Sequence, residues 1–445
     1  MSVRKGGEMA STESRILTNW NPEDPEKWDS SIAWRTLAIT TYSMTLAFCV
    51  WFLVSAIAPR LNDAGFDLTQ AQLYWLTSMP GLSCGFLRLI YMFLPATIGT
   101  RKLVGLSSLL YIVPMIGWFF AVQNPDTPYW WLLALAFMCG IGGGSFSGYM
   151  PSTGFFFPKR LSGTALGIQA GVGNLGMSII QMASPLLMTV PLAGMAWMAP
   201  TRLSDGTDLW LINPTIFFIP WSILAAIFSF VWLKDVPVKA SFKEQLDIFS
   251  NPDTWLMTLM YVMTFGTFSG FSAQFGLMIN NNFGSTSPLG LAVAGASYAF
   301  LAPLIGSLVR VAWGPLCDRF TGGLWTFVSG AGQAVCFFLA GYFTLNPTGM
   351  GSFWGFLISM LVMFFFTGIG NAGTFKQMPM IMPKRQAGGA IGFTAAVASF
   401  GPFFVGIALS SMSATTWLWI CGVFCVVGTI TCWIRYARPA APRRG

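Results

Sequence analysis

The 445-residue chain contains no histidine. That absence excludes histidine-ligated haem, a Ser-His-Asp triad and a histidine proton relay, so an enzyme is not expected. Charge is also scarce, at 9% of residues against 54% hydrophobic, where soluble domains carry roughly a quarter charged. All 16 acidic residues fall in termini, loops or the ends of apolar runs, which leaves no carboxylate deep in a membrane as counter-ion or proton carrier. Cysteine is present, but Cys421 and Cys425, at helical i,i+4 spacing, lack the usual histidine companions of a metal site. All eight (Cys49, Cys84, Cys139, Cys317, Cys336, Cys421, Cys425 and Cys432) lie in or beside apolar runs and read as packing. No metal and no cofactor is expected.

What the chain has instead is apolar length. Mean hydropathy is +0.62, and stretches long enough to cross a bilayer as helices recur throughout. Twelve spans are predicted, near 32–58, 71–98, 103–122, 129–157, 162–191, 211–233, 254–280, 288–316, 323–345, 352–380, 386–412 and 415–435. The first thirty residues are polar, carry Glu8, Glu13, Glu23, Asp24 and Glu26, and do not read as a signal peptide. The expected domains are a cytoplasmic segment 1–31, a six-helix bundle 32–233, a cytoplasmic connector 234–253, a second bundle 254–435 and a tail 436–445. The connector holds Lys234, Asp235, Lys239, Lys243, Glu244 and Asp247, and has room for a short amphipathic helix.

Charge placement orients the spans. With both termini cytoplasmic, 19 of the 24 Lys and Arg fall inside, Arg60 and Arg202 fall outside, and Arg88, Arg310 and Lys376 lie within spans. The reverse orientation would violate the positive-inside rule. The net charge of +8 therefore reports topology and contact with anionic membrane lipid, not nucleic-acid binding. A multi-pass protein of the cell inner membrane is expected.

The halves repeat each other. Pro158-Lys159-Arg160 with Gly163, Ala165 and Gly167 matches Pro383-Lys384-Arg385 with Gly388, Ala390 and Gly392 at an offset of 225. Gly140-Ile141-Gly142 matches Gly368-Ile369-Gly370 at 228, and Arg88 matches Arg310 at 222. Two parallel six-span repeats around a midplane site describe an all-α membrane protein of the major facilitator type.

Arg88 and Arg310 each stand alone inside an apolar span. A charge at bilayer depth costs about 2.5–3.5 kcal/mol even on lenient scales, so an intramembrane arginine marks function by default. A bland alternative has each arginine snorkel or bond backbone carbonyls. The functional reading makes the missing counter-ion the substrate, because a forked guanidinium matches the coplanar oxygens of a small oxyanion as lysine would not. Glycine is the second signal: Gly163, Gly167, Gly171, Gly173 and Gly176 in span 5, and Gly368, Gly370 and Gly373 in span 10. Tight helix packing explains them; so does packing that must also slide as the pathway alternates. Asp318-Arg319, after span 8, is a weaker facilitator-type loop signal for a conformational latch, and the first half has only Gly99-Thr100-Arg101-Lys102 there.

On these residues the chain resembles the NarK-type nitrate/nitrite porters of the major facilitator superfamily. The likeness begins at Trp20-Asn21-Pro22-Glu23-Asp24-Pro25, and 163–176 and 366–375 look like that family's two nitrate signatures. The resemblance implies that Arg88 and Arg310 clamp the anion, that Phe146 and Phe265 sandwich it, and that Tyr261 and Asn174 donate hydrogen bonds. Read alone, Phe146 and Phe265 are two of 40 phenylalanines and pass as core. Lys376 departs from the pattern: it either snorkels to the cytoplasmic surface or serves as an accessory charge for the inner vestibule.

Exchange of nitrate for nitrite by a monomer is the expectation. Two buried guanidinium charges at ~6 Å and an effective dielectric of ~20 repel by roughly 2.8 kcal/mol, which an anion between them relieves. The alternatives are nitrate–proton symport through Lys376, the only candidate proton carrier within a span, exchange of another small anion, and an anion channel.

Overall fold

The computed structural model describes residues 15–192, 200–203, 206–237, 246–285 and 287–443. Among them nine helices are long and apolar enough to cross a membrane, ten when Ser30–Trp51 and Leu53–Arg60, bent by 50° at Phe52, count as one span. Two further long helices, Gln70–Tyr91 and Lys159–Leu187, fall below that apolar standard. They carry Arg88 and Asn174, and a helix facing a polar interior need not be apolar all round. Together they make twelve spans. The only described strands form a two-residue hairpin, Thr201–Arg202 with Asp208–Leu209.

Local chemistry sets the helix ends. Asp29 caps span 1 by accepting from the Ser31 and Ile32 amides, and Thr69 with Gln72 forms a capping box on span 2. Span 7 (Pro252–Phe283) contains a π turn at Val262–Gly266, directly after Tyr261 and including Phe265. Such bulges re-aim side chains and recur at functional sites. Span 11 is broken between Lys384–Ala398 and Gly401–Ser411.

The end of the molecule that bears the termini is stapled within each half. In the first, the Trp20 and Trp28 indoles donate to the Phe155 and Phe156 carbonyls, and Glu23 accepts from the Lys159 amide at the start of span 5. Asp235 accepts from the Arg101 amide, 2.8 Å away, so the connector supplies the acid that the Gly99–Lys102 loop lacks. In the second half, buried Asp253 accepts from Arg435 Nε (3.1 Å) and the Tyr436 hydroxyl (2.9 Å). The rest of the connector's expected helix, 238–245, lies outside the described residues; Leu246–Ser250 forms a 3-10 turn.

The halves meet mainly at the opposite end. There Thr77 donates to Gln274 (2.5 Å), Gln181 to the Ser272 carbonyl (2.9 Å) and Ser178 to the Phe300 carbonyl (2.9 Å). Toward the terminal end four glycines border unfilled space: a Cβ added at Gly163, Gly167, Gly314 or Gly388 would meet nothing within 4 Å. Uncharged hydrogen bonds thus join the halves at one end, while at the other these glycines border unfilled space.

Candidate functional site

Arg88 enters the centre from span 2 and is fully buried. Its Nε donates to the Gly143 carbonyl (3.0 Å) and its Nη1 to the Ala395 carbonyl (3.1 Å), leaving Nη2 buried with no partner. The bland expectation of carbonyl bonding is thus met by two of the donors, and one remains. Arg310 enters from span 8, 6% exposed, with Nη1 buried and unpartnered. Neither arginine forms an ion pair with a carboxylate among the described residues.

Aromatic rings wall both guanidiniums. Arg88 lies 4.5 Å from the Phe146 centroid, 5.3 Å from Phe265 and 5.8 Å from Trp51. Arg310 lies 4.8 Å from Phe375. The Tyr261 ring stacks on Phe265 at 5.2 Å and packs on Phe375 at 5.2 Å. Its hydroxyl is buried beside Arg310 without a well-formed hydrogen bond. Ring faces favour a cation above them, which offsets part of its desolvation. Three unpartnered buried donors, from both halves of the chain, share one aromatic-walled centre. A buried donor left unmade costs about 1–3 kcal/mol, so the arrangement suits an acceptor-only guest.

Asn174 is buried with both amide atoms unpartnered. It lies one turn from Gly171, where an added Cβ would run into Val311, the neighbour of Arg310. Sequence reasoning missed Asn371, which is equally buried and equally unpartnered, and Phe375, one turn further along span 10. A signal existed: Gly368-Ile369-Gly370-Asn371-Ala372-Gly373 repeats the spacing of Gly171-Val172-Gly173-Asn174-Leu175-Gly176.

The glycines expected to gate divide into two groups. A Cβ at Gly173 would meet Met44, at Gly176 the Thr45 carbonyl, at Gly368 the Gly306 carbonyl, at Gly370 Ser329 and Thr264, and at Gly373 the Gly322 carbonyl. Gly163 and Gly167 border open space instead. Lys376 is exposed, turned away from Phe375 by one helical step. Arg319 is exposed beside the Phe320 ring at 5.4 Å; the Asp318 side chain lies outside the described residues.

Twelve spans in two bundles, with an unpaired charge from each half meeting at the centre, define a membrane transporter. Residues 40–358 match the Major Facilitator Superfamily. The chain is 49% identical to the probable nitrate/nitrite antiporter NarK2 of Thermus thermophilus, over 98% of this chain and 99% of that protein. It is 34% identical to the nitrate/nitrite transporter NarU of Salmonella typhimurium, over 90% of both, and 32% identical to NarU of Escherichia coli, over 95% and 96%. The chain belongs to the Major Facilitator Superfamily and, within it, to the NarK-type porters.

Proposed function

We propose that the protein exchanges nitrate for nitrite, carrying one anion at a time between Arg88 and Arg310. The observation that carries this reading is the pair of buried, acid-free guanidiniums, one from each half, each with an unpartnered Nη. A planar oxyanion accepts from both, with the Tyr261 hydroxyl and Asn174 as further donors and Phe146 and Phe265 as its walls. The ring faces repel negative charge placed over them, so the anion is restricted to the plane where the donors converge.

The moving bodies are residues 32–233 and 254–435, joined by 234–253. The positive-inside rule supports a cytoplasmic terminal end, in a cell inner membrane, and with it a resting carrier open to the cytoplasm. Reversal requires the Thr77–Gln274, Gln181–Ser272 and Ser178–Phe300 bonds to part, while the glycines of spans 5 and 10 and the Asp318-Arg319 loop take up the closing surface. The protein works as a monomer in lipid. Symport is disfavoured because arginine does not titrate, the chain has no His, and among the described residues no Asp or Glu pairs with either arginine.

In proteoliposomes, labelled nitrate uptake is expected to saturate and to be inhibited by nitrite. Uptake that rises linearly with nitrate and shows no counterflow would identify a pore instead. Lys376→Gln is expected to leave the direction and pH independence of exchange unchanged; loss of nitrate uptake in that variant alone would favour symport.

A further inference from the structure

Arg88 holds an acceptor that belongs to the opposite half of the protein. The Ala395 carbonyl, in span 11, receives its Nη1 at 3.1 Å. Inside a helix such a carbonyl would accept from the amide four residues on. Here the Ser399 amide turns to the Ala396 carbonyl (3.1 Å) and the Phe400 amide to that of Val397 (3.2 Å), at the break in span 11. The Ala395 carbonyl is therefore left to Arg88 and to the Ser399 hydroxyl, 2.6 Å away. Ala395 is 2% exposed and Ser399 fully buried, so solvent does not replace either donor. Packing holds the break in place: a Cβ at Gly85 would strike the Phe400 ring, and one at Gly401 the Gly266 carbonyl.

We propose that the Ala395 carbonyl is the resident acceptor at Arg88 in the empty carrier, that the anion displaces it, and that Ser399 is the positioning residue that keeps the displaced carbonyl hydrogen-bonded. The proposal rests on the anion site described above. Displacement breaks a bond between span 2 and span 11, so loading itself loosens one tie between the halves. The two acceptors compete for a single fork, which makes anion affinity depend on how well the released carbonyl is satisfied. With Ser399 present it retains a donor. Without the hydroxyl it is stranded in a buried site, and an unmade buried bond is costly.

The test is anion exchange in proteoliposomes by wild type, Ser399→Ala and Ser399→Thr, with KM and kcat measured separately for nitrate and nitrite. Ser399→Ala is expected to raise both KM values on the order of ten-fold, by the same factor for the two anions, with kcat little changed. Ser399→Thr keeps the hydroxyl and is expected to restore the wild-type KM. An unchanged or lowered KM in Ser399→Ala would overturn the proposal, as would a kcat loss without a KM change, or a Ser399→Thr variant as impaired as Ser399→Ala. If wild type itself shows no saturable exchange, the anion site falls as well; saturable wild-type exchange with an unaffected Ser399→Ala removes this proposal alone.

Discussion

Arg88→Lys and Arg310→Lys are each expected to lower nitrate exchange by about 10- to 100-fold, although both keep the positive charge. Arg88 uses three faces of one fork: Nε on the Gly143 carbonyl, Nη1 on that of Ala395, and Nη2 open. An ammonium is a compact point charge that cannot hold the Gly143 carbonyl and present a planar pair of donors to the anion together. A hydrogen bond to a charged group contributes about 1.5–3 kcal/mol, and each 1.4 kcal/mol is ten-fold. Lysine also loses the guanidinium's contact with the ring of Phe146, or of Phe375 for Arg310. Initial exchange rates at matched protein incorporation measure the effect. Near-normal rates in both variants would remove the fork argument.

Gly176→Ala is expected to cost about 1–3 kcal/mol of stability, in the range of overpacking a well-filled interior. The added methyl would meet the Thr45 backbone carbonyl and the Phe48 side chain, and a backbone carbonyl cannot rotate aside. Spans 1 and 5 would separate just where Asn174 is held. Gly163→Ala and Gly167→Ala face open space, so the better helix propensity of alanine is expected to leave stability unchanged or raise it by up to ~1 kcal/mol. Melting temperatures of the three purified variants give the comparison. A Gly167→Ala variant as unstable as Gly176→Ala would mean the open cleft does not describe the resting protein.

The arginines were legible because a lone charge in an apolar span is conspicuous without any knowledge of packing. The repeat followed from fixed offsets, and with it the two-bundle fold. Tyr261, Phe146 and Phe265 came only through family likeness, since nothing in one sequence separates a wall of a site from the other phenylalanines. Asn371 was missed although its glycine frame duplicates that of Asn174, because span 10 was read for its glycines and not for the polar residue between them. The distinction between Gly163 and Gly176 depends on what lies opposite, which helical spacing does not encode. The Ala395 carbonyl was invisible for a further reason: it is backbone, and although Gly401-Pro402 announces a helix break, nothing in the sequence says which carbonyl the break frees. Asp235 shows the same limit, supplying from the connector an acid missing from the Gly99–Lys102 loop.

Exchange is the central claim, and the most direct measurement follows nitrate uptake into liposomes that are either empty or loaded with nitrite, with and without a pH gradient. Two guanidiniums without an anion repel, so the empty carrier should not reverse, and uptake is expected only with internal nitrite and at the same rate whatever the gradient. Rapid uptake into empty vesicles driven by an inward proton gradient would contradict the account.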